Sequence, residues 1–412
     1  MPSSRQVHVA LVLAGIALAA SVGPRPLPGQ EELGRRITIT DAEGHVSTGM
    51  LKQIGGGMLS LEGAAPREFA TAQLVLAEWT ARPVRSLAAD PVLLLADGDR
   101  LVAFPLAMNE EFLSGQWVRF PAWPTVKLPL EAVRGAVLPM PLNPAARAAA
   151  VSRISDRRDP HDLVVLNNGD TATGELKSLD EREFTLQTPV GPTKIGRAGV
   201  RAFGLNPELT SPRRRDATSV IVTLTDGSRF HATHLKTGVL EKLQMKPEFG
   251  GDLEVPLSAV AALQFLGGQA VYLSDLPPDN YEFHPFLGVH WPLRADRTVA
   301  GGPLALRGKE YARGLGMHSQ SAATWRLDQK YRRFQATIGV DDDADGRGSV
   351  EFEVLVDGVK VYSSPVLTGA SPPVVLEPIT VRGAKLLTLR VGFATFGDVQ
   401  DHADWCNALL VK

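Results

Sequence analysis

Val350-Glu351-Phe352-Glu353-Val354-Leu355-Val356-Asp357-Gly358-Val359-Lys360-Val361-Tyr362 decides how this chain folds. Val350, Phe352, Val354 and Val356 alternate with Glu351, Glu353 and Leu355, the period-2 pattern of a strand with one face buried. Asp357-Gly358 then turns the chain into a second strand, because a tight hairpin needs positive φ at its centre. The pattern recurs on both sides. Phe334-Gln335-Ala336-Thr337-Ile338-Gly339-Val340 alternates in the same way, as do Leu387, Leu389, Val391 and Phe393 against Thr388 and Arg390. Antiparallel strands of this kind build a β-sandwich.

Further toward the N-terminus the strands repeat. Val92-Leu93-Leu94-Leu95-Ala96-Asp97-Gly98-Asp99, Leu163-Val164-Val165-Leu166-Asn167-Asn168-Gly169-Asp170 and Val220-Ile221-Val222-Thr223-Leu224-Thr225-Asp226-Gly227-Ser228 share one form, an apolar strand running into Asp-Gly or Asn-Gly. Ile37-Thr38-Ile39-Thr40-Asp41-Ala42-Glu43-Gly44 is a weaker copy. The copies close alike, on Leu128-Pro129-Leu130-Glu131-Ala132-Val133, on Thr193 to Val200, and on Val255-Pro256-Leu257-Ser258-Ala259-Val260. Units of this length suit small SH3-like or Sm-like barrels, expected over 33–80, 88–140, 160–206 and 217–267. The alanine- and arginine-rich segment 143–158 is expected to be a linking helix within 141–159. His231 and His234 lie on a period-2 strand, point to opposite faces, and read as unpaired surface or core histidines.

At 412 residues the chain exceeds one core. Forty-three basic residues against 45 acidic ones argue against nucleic acid as a partner. The short cluster Arg213-Arg214-Arg215 beside Pro212 reads as a solvated linker. Arg5, the apolar run Val9 to Val22 and the site Ala17-Leu18-Ala19 read as a secretory signal peptide, with a proline-rich spacer to residue 30. The run is too short for a membrane span, which needs about 20 residues. Secretion, or residence in the periplasm or cell envelope, is expected. Cys406 is the single cysteine, so no internal disulfide can form and its expected role is strand-end packing.

Three ordered segments carry chemistry: Tyr311-Ala312-Arg313-Gly314-Leu315-Gly316-Met317-His318-Ser319, then Ile338-Gly339-Val340-Asp341-Asp342-Asp343, then Asp401-His402-Ala403-Asp404-Trp405. Together they resemble the NPCBM family of carbohydrate-binding modules, over about Val271 to Lys412. The resemblance implies a galactose-binding-type jelly roll, expected over 268–412, of a kind often attached to glycoside hydrolases. Thr395-Phe396-Gly397-Asp398 departs from the Asp-Gly-Asp-like turn usual in that family.

Carboxylates and imidazoles hydrogen-bond vicinal hydroxyls, and an indole stacks on a sugar ring. His318, Asp401, His402, Asp404 and Trp405 are therefore the candidate carbohydrate-binding residues. His318 either lies in the ligand pocket or is buried and paired with Asp401 or Asp404. Trp405 is either a platform or core, with Trp325 and Tyr311 as alternative platforms. Asp341, Asp342, Asp343 and Asp345 form the candidate metal site, for a structural Ca2+ on an acidic turn or else a solvated turn. The EF-hand likeness of Asp341 to Gly346 fails at its twelfth position, Phe352. No catalytic constellation is visible.

These features predict an exported, non-catalytic all-β protein that binds carbohydrate, its repeats serving as spacer or as contact surface for other envelope or secreted proteins. The alternatives are a scaffold whose sandwich no longer binds sugar and an accessory module of a glycoside hydrolase system. Burial of Trp405 and His318 in a dry core would favour the scaffold.

Overall fold

The structure is a computed structural model that describes residues 36–63, 67–79, 82, 84, 89–139, 144–210, 218–238, 241–285, 288–395 and 397–412. The expected leader over 1–30 and the cluster Arg213-Arg214-Arg215 lie outside these residues. The fold is nearly all β.

The first 21 strands fall into four sets. They are β1 (Arg36–Asp41), β2 (Val46–Gly55), β3 (Met58–Leu61), β4 (Arg67–Ala70) and β5 (Leu74–Glu78); then β6 (Val92–Leu95), β7 (Arg100–Leu101), β8 (Ala103–Met108), β9 (Phe112–Trp117), β10 (Val126–Pro129) and β11 (Val133–Val137). After helix α1 (Pro144–Ser155) come β12 (Asp162–Leu166), β13 (Thr171–Leu179), β14 (Glu183–Thr188), β15 (Gly191–Gly196) and β16 (Val200–Gly204). The last set is β17 (Ser219–Leu224), β18 (Arg229–Thr237), β19 (Lys242–Pro247), β20 (Leu253–Pro256) and β21 (Val260–Leu266).

In every set the first strand pairs antiparallel with the last: β1 with β5, β6 with β11, β12 with β16 and β17 with β21. A single 3-10 turn leads into each closing strand, at Thr71–Gln73, Leu130–Ala132, Arg197–Gly199 and Leu257–Ala259. The long second strands are bulged, between Leu51 and Gln53, Leu176 and Ser178, and Thr233 and Lys236. A bulge bends a strand and raises its twist, which lets one strand serve two sheets. The sets also join through their closing strands, β5 to β21 and β11 to β16. One apolar cluster therefore runs through all four, with Ile37, Leu93, Val164 and Val222 among its members.

The turns after the first strands hold Gly98, Gly169 and Gly227 at φ of +79°, +97° and +93°. A Cβ at Gly169 would meet nothing closer than an Arg201 nitrogen at 3.9 Å, so the conformation alone opposes a side chain there. Gly169→Ala is expected to cost about 1–2 kcal/mol, read as a lower urea midpoint with unchanged slope.

The remaining strands form two facing sheets. The first runs β24 (Arg294–Ala295), β27 (Gly314–His318), β36 (His402–Val411), β29 (Arg333–Val340), β33 (Val374–Val375), with β22 (Ala270–Tyr272) on the far end of β36. The second runs β23 (Asn280–Phe283), β28 (Ser321–Arg326), β35 (Leu386–Phe393), β30 (Ser349–Val356), β31 (Val359–Ser363). A hairpin, β25 (Leu304–Leu306) and β26 (Lys309–Tyr311), stands beside them. Val350, Phe352 and Val354 are all inward, as the opening stretch requires, and pack with Trp325, Phe334, Ile338, Leu389 and Trp405.

The two parts share a seam. Ala42, Val75, Ile221 and Leu266 of the N-terminal sheet pack on Ala270, Tyr272, Leu409 and Val411. Gln264 Nε2 donates to the Tyr272 hydroxyl and to Asn407 Oδ1, while Glu43 pairs with Arg332 and Arg333.

Candidate functional site

Alternation holds through the terminal motif. Ala403 and Trp405 enter the sandwich core, and His402 and Asp404 leave the opposite face of β36 toward the acidic turn. Trp405 is 0% exposed, meets Phe352 edge-on at 5.0 Å, and keeps an indole N–H without an acceptor. It is core, and no sugar ring can reach its face. The alternative platforms go the same way: Trp325 is buried with its indole donating to Leu276 O, and Tyr311 is buried beside Leu304, Leu306 and Cys406. Cys406 thus packs in mid-strand rather than at a strand end.

Gly314 and Gly316 lie within strand β27 rather than at a bend. Their purpose is close approach: a Cβ on Gly316 would stand 2.3 Å from Arg297 O, and one on Gly314 2.6 Å from Trp405 O. This lets the segment 297–299 lie flat on β27 and sets His318 at the strand's end.

His318 is 2% exposed and makes no ion pair with Asp401 or Asp404; its Nδ1 has no partner. What covers it is Trp291, a half-buried indole stacked parallel on the imidazole at 5.0 Å with 3° between planes. Phe283 and His402 complete the cluster, with ring centroids 6.1 and 6.0 Å from His318. Burial, and then the neighbouring His402, bring the His318 pKa down to about 4, so the ring is neutral at physiological pH.

The acidic turn is a short 3-10 segment, Asp342–Ala344, and its carboxylates diverge. Asp342 accepts from Arg307 N and Gly308 N at 2.8 and 2.7 Å, closing the β25–β26 hairpin. Asp343 accepts from Thr298 Oγ1 at 2.7 Å and holds His402 Nδ1 at 2.6 Å. Asp341 accepts from Ala305 N and Asp343 N, both at 2.8 Å, and Asp345 takes the left-handed cap position at φ +53°. Among the described residues, no group of three or more His, Cys, Asp or Glu side chains is arranged to hold a metal. The four acids do not surround one point; backbone N–H groups and side chains take up Asp341, Asp342 and Asp343.

Asp404 is fully buried, receives no N–H or O–H donor, and lies against Asp341. Burial and the Asp341 charge hold its pKa well above the usual carboxylate range, and burial also pushes Asp341 up to about 7. Asp341 already accepts two N–H bonds, so Asp404 is the partner that keeps the proton. Burial pushes Asp343 up as well, but His402 and Thr298 more than reverse this and leave it below its ordinary value. Asp401 accepts from Ser349 N at 2.7 Å and is shifted up by burial, pinning β30 to the start of β36.

The sign of the pH dependence follows. A raised carboxyl pair binds a proton in the folded state that the unfolded chain releases near pH 4. Its stabilising contribution is complete below that value; the Asp341 share is lost as pH rises through about 7 and the Asp404 share only as pH rises further. His318 runs the other way, stabilising above about pH 6.5 and losing that as pH falls toward 4. Asp404→Asn isolates the pair, because its amide can donate to Asp341 without a titrating proton. The variant's melting temperature relative to wild type is expected to rise by about 3–6 °C between pH 5 and pH 8. A difference constant with pH would sink this assignment.

His231, read from sequence as unpaired, is buried with Nδ1 2.6 Å from Asp99 Oδ1. Its partner comes from another strand set 132 residues away, which the local pattern could not reveal. His234 occupies the β18 bulge at φ +55° and meets Thr233 Oγ1.

A two-sheet antiparallel sandwich thus gathers an indole and two imidazoles at its edge. Residues 269–411 match the NPCBM/NEW2 domain. An α-1,3-galactosidase B of Akkermansia muciniphila is 34% identical over 117 residues, covering 28% of this chain and 15% of that protein. A Renibacterium salmoninarum protein assigned as an endo-α-N-acetylgalactosaminidase is also 34% identical, over 108 residues, 26% of this chain and 7% of the other. The chain thus spans only a small fraction of these relatives' length. A solved structure of CBM51 from Clostridium perfringens GH95, in complex with methyl-galactose, is 26% identical, covering 34% of this chain and 99% of that one, with a TM-score of 0.32.

Proposed function

We propose that the protein is an exported, non-catalytic glycan-binding protein whose C-terminal sandwich holds a sugar at the Trp291–His318–His402 cluster. The observation that carries this reading is the half-buried Trp291 indole, seated on His318 beside the Asp343–His402 pair. The exposed part of an indole takes the apolar face of a pyranose, and a carboxylate with a neighbouring imidazole accepts and donates at its hydroxyls. The ring needs no reordering to bind, because His318 already fixes it. The NPCBM/NEW2 match supports the ligand class, and the galactosidase and galactosaminidase names of the relatives favour galacto-configured glycans.

Hydrolysis would need two carboxyls flanking a bond in an open cleft. The pair with the raised pKa values, Asp341 and Asp404, is closed to substrate. Among the described residues no helix is long and apolar enough to cross a membrane. We further propose that the four strand sets act as spacer or protein-contact surface.

The burial of Trp405 favours a second reading, a scaffold that binds no sugar. A glycan array probed with the full chain separates the two. Capture of galacto-configured glycans that Trp291→Ala removes supports the first reading. A folded chain that captures nothing leaves the scaffold.

A further inference from the structure

Where strand sets two and four, α1 and the sandwich meet, they enclose a cavity of about 550 Å3, within the usual size of small-molecule sites. It lies away from the Trp291 cluster, and none of Trp291, His318 or His402 lines it. Six arginines and four carboxylates do, an excess of positive charge in a partly desolvated space. Most of these arginines are committed. Arg134 donates to the carbonyls of Pro207 and Ser155, Arg297 to Asp156, Arg313 to Asp296, and Arg100 to Glu310 and to Gly227 O.

Among the wall nitrogens with no partner, which also include Arg313 Nε, two belong to groups with a single partner each. Arg147 is 5% exposed and gives Nη2 to Asp90 O, while its Nη1 is buried with no acceptor. His231 is 3% exposed, is held through Nδ1 by Asp99, and has a buried Nε2 with no partner. A buried charged donor left unsatisfied keeps the full cost of its desolvation, so an orphan of this kind calls for an explanation. Burial lowers the Arg147 pKa, with Asp90 opposing and Arg100 adding to the fall. Arg229 on the same wall is pushed down to about 10 by burial and by Arg100.

The two groups ask for different atoms. Arg147 Nη1 is a charged donor that wants an anionic oxygen. His231, held through Nδ1 by Asp99, turns Nε2 to the cavity, where either tautomeric form is matched by a hydroxyl, which can both donate and accept. We infer that this cavity binds a hydroxylated carboxylate of monosaccharide size, a uronate or similar sugar acid, with its carboxylate on Arg147 and a hydroxyl on His231.

The test is calorimetric titration of the full chain with D-glucuronate, D-glucose and inorganic phosphate. Glucuronate is expected to bind, glucose not to, and phosphate to bind at least ~10-fold more weakly because it cannot present both groups. An oligogalacturonide run in parallel tells a polymer end from a free acid, and either acid's binding meets the expectation. Arg147→Gln, His231→Gln and the cavity-filling Val151→Trp are each expected to weaken glucuronate at least ~10-fold, with Trp291→Ala neutral. If Arg147→Gln fails to fold, Val151→Trp carries the test, since it leaves both orphan groups in place. The inference is overturned if wild type binds no sugar acid, if phosphate binds as well as glucuronate, if Val151→Trp binds unchanged, or if Trp291→Ala abolishes binding.

Discussion

Trp291→Ala is expected to weaken glycan capture by at least ~10–30-fold while leaving the melting temperature within about 2 °C of wild type. The indole sits outside the sandwich core, half-buried in the segment between β23 and β24, so removing it opens no internal cavity. The loss is in binding. A pyranose face covering about 60–80 Å2 of apolar ring is worth about 1.5–2 kcal/mol, which is about one and a half decades of affinity. Trp291→Phe should retain part of this, because a smaller ring still stacks on His318. Titration of the full chain with a glycan identified on the array reads the effect, and an unchanged dissociation constant would remove the Trp291 cluster from consideration.

Trp405→Ala reverses the pattern. Its side chain is wholly enclosed, against Phe352 and near Phe334, and its indole N–H has no hydrogen bond to lose. The cost is therefore that of an unfilled core volume, about 3–5 kcal/mol. Trp405→Phe should recover over half of it. Denaturant unfolding measures this directly, and the prediction fails if Trp405→Ala lowers affinity without moving the unfolding midpoint. The two substitutions form a pair: under the proposed function one tryptophan carries binding, and the other carries the fold.

That division explains what was legible in the sequence. Strand alternation in Phe334–Val340 and Val350–Val356 placed the core face correctly, because a period-2 pattern and a one-sided sheet are the same physical fact. The same rule places Ala403 and Trp405 inward and His402 and Asp404 outward. Trp291 escaped because Gly288-Val289-His290-Trp291-Pro292 has no period to read. The available signal was a His-Trp pair ahead of a proline, in a segment where alternation gives no reason for an aromatic. The acidic turn was half legible for a different reason. Four carboxylates within five residues look like one ligand set, but their directions are decided by who donates to them. The donors are Ala305 N, Arg307 N, Gly308 N, Thr298 and His402, far off in sequence. Likewise, the need for glycine at 314 and 316 is hidden in the sequence, since the backbone that approaches their missing Cβ atoms belongs to other segments.

The pairing of β5 with β21 has a kinetic side. Ala262 lies opposite Glu78, so the first strand set acquires its closing neighbour only after about 180 further residues have been made. During synthesis β5 presents a bare edge, and an unpaired edge invites pairing with other chains. The second and third sets meet through β11 and β16 much sooner. The expected order of assembly is therefore inside out, the middle pair forming first and the outer pair afterwards. Refolding should show a slow phase that reports the arrival of the fourth set on the first.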